Sequence, residues 1–249
     1  MKRLAHYSQY FLRSPRKVGE LVGHSDVKKT DIVLDIGAGS GVISAVLAGR
    51  CRQVIAIEHE PRMVNKLRDN MKKFANVAVI EADILTMPLP NEPYKVFANI
   101  PFHLSSPIVR RLTEADLPPT SIYLIVQKQF ASKLLPDSDR FTGQLGMLVG
   151  PLYAARIRKR LLRTDYYPHP NVDTVLLELL RRDEPLIAPS DMPDYRQFVT
   201  ECFSTPRLFA KTPRQKVGLK DDIKPSEMKL AQWVALFAAT KQQRSQNTN

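Results

Sequence analysis

The chain has 249 residues, 43% of them hydrophobic, enough for a large core in one domain or in a domain with a small appendage. A formal charge of +12 suits phosphate backbones or anionic membranes, and no apolar run approaches the ~18 residues of a membrane span, so nucleic acid is favoured as partner over membrane. Met1-Lys2-Arg3 opens without the apolar run of a secretory signal, and Cys51 and Cys202 stand in no metal-ligand spacing; a cytoplasmic protein with reduced thiols and no metal is expected.

From Asp31 to about Phe130, short apolar runs alternate with helical patterns. Strands are predicted at residues 32–36, 54–57, 77–80, 94–98 and 122–126, and helices at 41–48, 61–74 and 107–112, the second with Met63, Val64, Leu67 and Met71 on one stripe. This alternation predicts an α/β fold with a doubly wound, mostly parallel sheet. Residues 152–162 and 172–180 read as further strands that extend the sheet, separated by the proline-broken Tyr166-Tyr167-Pro168-His169-Pro170. After Pro185 and Pro189 only helical patterns follow, at 195–203 and 227–239. The expected organisation is a sheet domain over 1–185 and a small helical domain over 186–249, with a frayed polar tail from about 241.

Candidate functional residues fall at successive strand ends, where open α/β sheets bind ligands. Gly37, Gly39 and Gly41 follow the first predicted strand, and glycine lets a chain turn sharply and approach a ligand without a Cβ clash. Val42 stands where a dinucleotide fingerprint wants its third glycine, which disfavours nicotinamide binding. Glu58 ends the second strand and can take ribose hydroxyls on its carboxylate, and Asp83, after the third, can accept from an adenine amino group. Asn99-Ile100-Pro101-Phe102 closes the fourth strand with an amide, a rigid turn and an aromatic face. The Asn99 oxygen and a backbone carbonyl next to Pro101 can accept hydrogen bonds from an exocyclic amine, and Phe102 can stack on its ring. With the glycine loop, these parts suggest methyl transfer from a sulfonium cofactor to a nucleic-acid base. His103, next in line, reads as a junction residue at least as well as a general base.

The sequence resembles the rRNA adenine N6-methyltransferases, both the Erm type acting on 23S rRNA and the KsgA type acting on 16S rRNA. The resemblance spans nearly the whole chain and implies a Rossmann-like, class I S-adenosylmethionine-dependent sheet with a small α-helical carboxyl-terminal domain. Ser8-Gln9-Tyr10-Phe11-Leu12 resembles the amino-terminal cofactor motif, although the family usually has Asn where Tyr10 stands, leaving backbone contacts from Tyr10 and Leu12. Asp35 to Gly41 resembles the glycine loop, Glu58 and Asp83 the ribose and adenine contacts, and Asn99 to Phe102 the catalytic tetrapeptide, with Asn99 also near the cofactor. Tyr166 to Leu177 resembles a segment that both branches share.

The Erm branch is favoured by Arg182 to Ile187 followed by Tyr195 to Val199, by Leu208-Phe-Ala-Lys-Thr-Pro-Arg-Gln215, and by phenylalanine at 102. That implies protection of the macrolide, lincosamide and streptogramin B site by a monomer; the alternatives are a KsgA-type 16S enzyme and a nucleic-acid-binding protein that keeps the fold without catalysis. Residues 2–17, 156–163 and 207–220 each hold five Lys or Arg and no acid, which suits phosphate contacts, whereas Lys66, Arg68, Lys72 and Lys73 read as a solvated helix face.

Overall fold

The computed structural model describes residues 11–12, 14–135 and 143–246. Gln9 and Tyr10, expected near a cofactor, lie outside the described residues, as does most of the first basic run. Strand β1 (Phe11–Leu12) leads into helix α1 (Pro15–Gly23). Ser14 caps α1, its Oγ accepting the Lys17 N–H at 3.4 Å, and Pro15 takes the first helical position, where no N–H is needed. Val18, Leu21 and Val22 form the buried stripe of this helix.

The chain then alternates through β2 (Ile32–Ile36), α2 (Val42–Ala48), β3 (Gln53–Glu58), α3 (Pro61–Met71), β4 (Val77–Glu81), β5 (Lys95–Asn99), α4 (Ser105–Thr113) and β6 (Ser121–Gln127). It continues through α5 (Lys128–Ser132), α6 (Gln144–Val149), β7 (Tyr153–Leu161), β8 (Tyr166–Tyr167) and β9 (Thr174–Arg181). Helices α7 (Met192–Ser204), α8 (Pro206–Ala210) and α9 (Leu230–Gln246) follow. Each predicted strand from 32 to 180 is present with ends shifted by a residue or two, while β1, α1, β8, α5, α6 and α8 were not anticipated.

Seven strands form one sheet in the order β4-β3-β2-β5-β6-β9-β7, and β1 pairs separately with β8. The pairs from β4 to β6 are parallel, and β9 runs antiparallel to β6. This is the expected Rossmann-like sheet. Every residue of β2 is buried, and so is β6 up to Val126, because helices cover both faces of a parallel sheet; hence these strands read as continuous apolar runs. Of the predicted stripe on α3, Val64, Leu67 and Met71 are buried.

At the amino end of the sheet, Lys95 Nζ lies 3.0 Å from both Asp26 and Asp31 carboxylates and donates to the Asp26 carbonyl. Ser121 Oγ donates to Asp26, and the Tyr123 hydroxyl donates to Glu178 while accepting the Asp26 N–H. This network holds the 24–31 connection against the strand starts and keeps it away from the opposite, ligand-facing edge.

Contacts divide the chain into residues up to Ala131 with Arg156–Arg181, and Ser132–Ala155 with Arg182 onward. The sequence reading drew a single boundary at 186; the second unit instead recruits α6, because Met147 and Leu148 belong to its helical core. That core centres on Trp233, whose ring stacks on Phe203 at 5.3 Å and meets Phe198 and Phe209 at 6.1 and 6.0 Å. Helix α9 runs through Gln246, past the expected start of a frayed tail at 241, and Lys241 Nζ pairs with Asp191 at 2.7 Å.

Two glycines give opposite expectations. Gly41 has φ +87°, and a Cβ there meets Leu67 Cδ1 and Met71 Cε at 2.7 Å; Gly19, inside α1, has open space around it. Gly41→Ala is expected to destabilise the protein by at least about 1–2 kcal/mol from the left-handed backbone alone. Gly19→Ala is expected to stabilise it by up to about 1 kcal/mol. Urea midpoints of the two variants check both signs.

Candidate active site

Strand order creates the site. The chain leaves β2 outward through β3 and β4, then returns to place β5 on the other side of β2, and a crevice opens at the carboxyl ends where direction reverses. Loops after β2, β3, β4 and β5 converge there around a cavity of about 560 Å³. Gly37, Glu58, Asp83 and Pro101 all line it, so four residues singled out in sequence, one from each loop, share one wall. Gly37 has φ +67°, and a Cβ on it sits 3.6 Å from Pro101 Cδ, so the β2 and β5 loops lie in van der Waals reach.

The glycine loop is held by Glu58. Its Oε2 accepts the Gly39 N–H at 2.8 Å, and its Oε1 accepts the N–H groups of His59 and Glu60 at 2.9 Å each. Three of the roughly four acceptor positions of this buried carboxylate are thus taken by backbone, leaving capacity for about one further donor. Gly41 serves a different purpose from Gly37: its missing Cβ is where α3 packs. Asp83 Oδ1 accepts the Leu85 N–H at 2.9 Å, which fixes the turn after β4.

Asp35 is 1% exposed; Ser44 Oγ donates to its Oδ2 at 2.6 Å, and its Oδ1 has no hydrogen-bond partner among the described residues. Burial pushes this carboxyl from its ordinary 3.8 up to about 7, Ser44 opposing and the nearby Glu58 charge adding to the rise.

Asn99 ends β5, in register with Ile125 of β6. The following residues make a 3-10 turn: Pro101, at φ −58°, accepts the Leu104 N–H at 3.0 Å, and the Phe102 carbonyl accepts Ser105 Oγ at 2.9 Å. Of the carbonyls at this proline, Ile100's is therefore the one outside the turn, and Ile100 itself is buried. Phe102 is half-buried and His103 exposed, with His103 at the cavity wall. Leu12 is buried in the first unit's core.

Sequence reasoning missed His59, Glu60, Ile84, Leu85, Leu104 and Ile108, which line the cavity together with Ile36, Ile57, Pro61 and Ala82. The available signal was position: His59 and Glu60 directly follow Glu58, and Ile84 and Leu85 directly follow Asp83, whereas Leu104 and Ile108 are brought in by the turn and helix after β5. Their apolar members and the few convergent polar groups suit a compact organic ligand. Among the described residues no cluster of His, Cys, Asp and Glu is placed to hold a metal, and no helix is long and apolar enough to cross a membrane.

This sheet, with a glycine loop at the switch point and an Asn-Ile-Pro-Phe turn beside it, is the arrangement expected of an S-adenosylmethionine-dependent methyltransferase. A family model described as ribosomal RNA adenine dimethylase matches residues 2–213, and the chain belongs to that family. It is therefore an rRNA adenine methyltransferase that uses S-adenosylmethionine. Ribosomal RNA small subunit methyltransferase A of Streptococcus pneumoniae strain R6 is 29% identical over 266 residues, covering 95% of this chain and 91% of that protein. Its namesake from Streptococcus equi subsp. zooepidemicus strain H70 is 32% identical over 195 residues, covering 74% of this chain and 67% of that protein. Among solved structures, the 23S rRNA methyltransferase ErmE superposes with a TM-score of 0.80 at 28% identity, covering 93% of this chain and 99% of that one. A dimethyladenosine transferase from Plasmodium falciparum shares the fold with a TM-score of 0.78 at 20% identity, over 94% of this chain and 98% of that one.

The residues present fit the cofactor: a cavity with apolar walls for a purine, a glycine cradle, acids at two strand ends, and a buried carboxyl with an unfilled acceptor. Between pH 3.8 and about 7 the unfolded chain releases the Asp35 proton that the folded chain retains. Stability of the cofactor-free protein is thus expected to fall as pH rises through that window and to level off above it. Asp35→Asn removes this part of the slope, as urea midpoints at pH 5 and 7.5 check.

Proposed function

We propose that the protein methylates the exocyclic N6 of a specific adenine in 23S rRNA, with one or two methyls, in the cytoplasm, and so protects the ribosome from macrolide, lincosamide and streptogramin B antibiotics. The observation that carries the choice of 23S is the superposition with ErmE over 93% of this chain, which takes in the carboxyl-terminal unit on which the sequence argument for the Erm branch rests.

Bound S-adenosylmethionine supplies a methyl group on a sulfonium, already activated toward a nucleophile. Gly37 cradles the cofactor, Glu58 takes a ribose hydroxyl with its remaining acceptor position, and Asp83 accepts from the adenine amino group. Asp35 offers its unfilled oxygen to a donor behind the glycine loop. Asn99 Oδ1 and the Ile100 carbonyl accept from the N–H groups of the target amine, which localises its lone pair for in-line attack. Phe102 stacks on the target base, which must be unstacked from its helix or offered by a loop. The displaced proton passes to water, so His103 has no obligatory part.

The carboxyl-terminal motif divides into structural and RNA-facing members. Phe209 is buried, and Arg214 covers its ring at 5.2 Å while donating to the carbonyls of Ala210 and Asp221. Arg207, Lys211, Lys216 and Lys220 are exposed and supply phosphate contacts.

A second reading, a KsgA-type 16S enzyme, is favoured by the small-subunit methyltransferases among the sequence relatives. Labelled methyl offered in parallel to protein-free 23S rRNA and to small-subunit particles separates the two: label in 23S is expected, and label confined to small-subunit particles overturns the Erm reading. Asn99→Ala is expected to lower transfer by at least about 10²-fold, the loss typical of one oriented hydrogen-bonding group at a transition state. His103→Ala is expected to keep near-normal turnover. RNA affinity is expected to fall steeply between about 50 and 200 mM salt, as filter binding checks.

A further inference from the structure

Tyr166 and Tyr167 are adjacent in β8, yet the first is fully buried and the second is 62% exposed. Successive side chains of a strand point to opposite faces, and here the direction is set by a 2.7 Å hydrogen bond between the Tyr166 hydroxyl and Thr174 Oγ1. That bond fastens β8 to the first residue of β9. Thr174 pairs with Gln127 at the carboxyl end of β6, and two residues on, Leu176 pairs with Ile125, the register partner of Asn99. β8 is therefore anchored at the same sheet edge as Asn99, and β9 stands two strands from it, about 10 Å across the sheet. A stacked strand advances about 3.4 Å per nucleotide, so this edge lies about three nucleotides along the strand from a target base at Asn99.

The surface there is unusual for this chain. Three of its six exposed large apolar side chains among the described residues, Leu162 at 66%, Tyr167 and Val172 at 36%, come from the connection between β7 and β9. Residues 156–169 around it carry five Arg or Lys against one acid, Asp165. His169 Nδ1 lies 2.8 Å from the Arg163 carbonyl, and Arg163 pairs with Asp173 at 3.5 Å, so the connection is braced internally. A flat aromatic face on a braced, basic connection beside the transfer site has the makings of a stacking platform on single-stranded nucleic acid.

The geometry points to Tyr167 as a stacking platform for a nucleotide flanking the target adenine, separate from the Phe102 face that takes the target itself. It rests on the proposed rRNA reaction. Tyr167 is not among the residues that line the cofactor cavity, and its contribution is to RNA affinity and to the choice of sequence around the adenine.

The test uses the full-length enzyme and hairpin fragments of its methylated rRNA with 2-aminopurine placed, one position at a time, within about three nucleotides on either side of the modified adenine. Wild type and Tyr167→Phe are expected to keep the probe quenched at one of these positions. Tyr167→Ala is expected to release that quenching and weaken RNA binding by about 5- to 150-fold, the range of one base–aromatic stack, with S-adenosylmethionine affinity and kcat at saturating RNA unchanged. Tyr167→Leu keeps apolar bulk without a ring; if the Ala variant fails to fold, it carries the comparison with Phe. Full RNA affinity and unchanged probe fluorescence in the Ala or Leu variant overturn the inference and leave the patch to a protein partner. A wild-type enzyme that methylates no rRNA fails the proposed function instead, and the two failures are told apart by that control.

Discussion

The parallel pairing of β2 with both β3 and β5 is the constraint from which the site follows. A parallel neighbour can be reached only through a crossover, and two crossovers in opposite senses from one central strand leave their loops diverging above it. Gly37 and Pro101 meet in that gap because their strands are neighbours, although 64 residues separate them in sequence. Burial of β2 on both faces holds the central strand and with it the geometry of the rim.

Electrostatics divides between the two edges of this sheet. At the amino edge, Lys95 between Asp26 and Asp31 is compensated charge that fastens a loop. At the carboxyl edge, Glu58 gives most of its hydrogen-bonding capacity to the backbone, while Asp35 keeps one oxygen unfilled in a site that raises its proton affinity. A carboxyl left incompletely satisfied where a buried acid is costly supports the proposed role of Asp35 toward a ligand's donor.

Much of the fold was legible, for particular reasons. The runs at 32–36 and 122–126 declared themselves because strands buried on both faces must be apolar throughout, and the stripe on α3 because its buried side chains recur at helical spacing. Helix α6 was not legible: Gly143 and Gly150 flank a short apolar run that Gly146 interrupts, which leaves too little periodicity to read. In the structure Gly146 is required because a Cβ there comes within 2.4 Å of the Lys133 carbonyl oxygen, a contact between residues far apart in the pattern. The two-residue strands β1 and β8 carry no periodicity of their own and exist through each other.

By itself, the sequence determined the residue types at successive strand ends and the chemistry they permit, because the local patterns of strand, turn and helix are written in side-chain spacing. It also determined the family, through motifs whose spacing is read along the chain. Tertiary structure alone decided which of the three glycines faces the cavity and which makes room for α3, that Glu58 already holds the glycine loop, that the turn takes up the Pro101 carbonyl, and that of two adjacent tyrosines only Tyr167 reaches solvent. The reason is physical. A side chain's chemistry travels with the residue, but its partners, its burial and the direction it faces are set by elements brought beside it from distant parts of the chain.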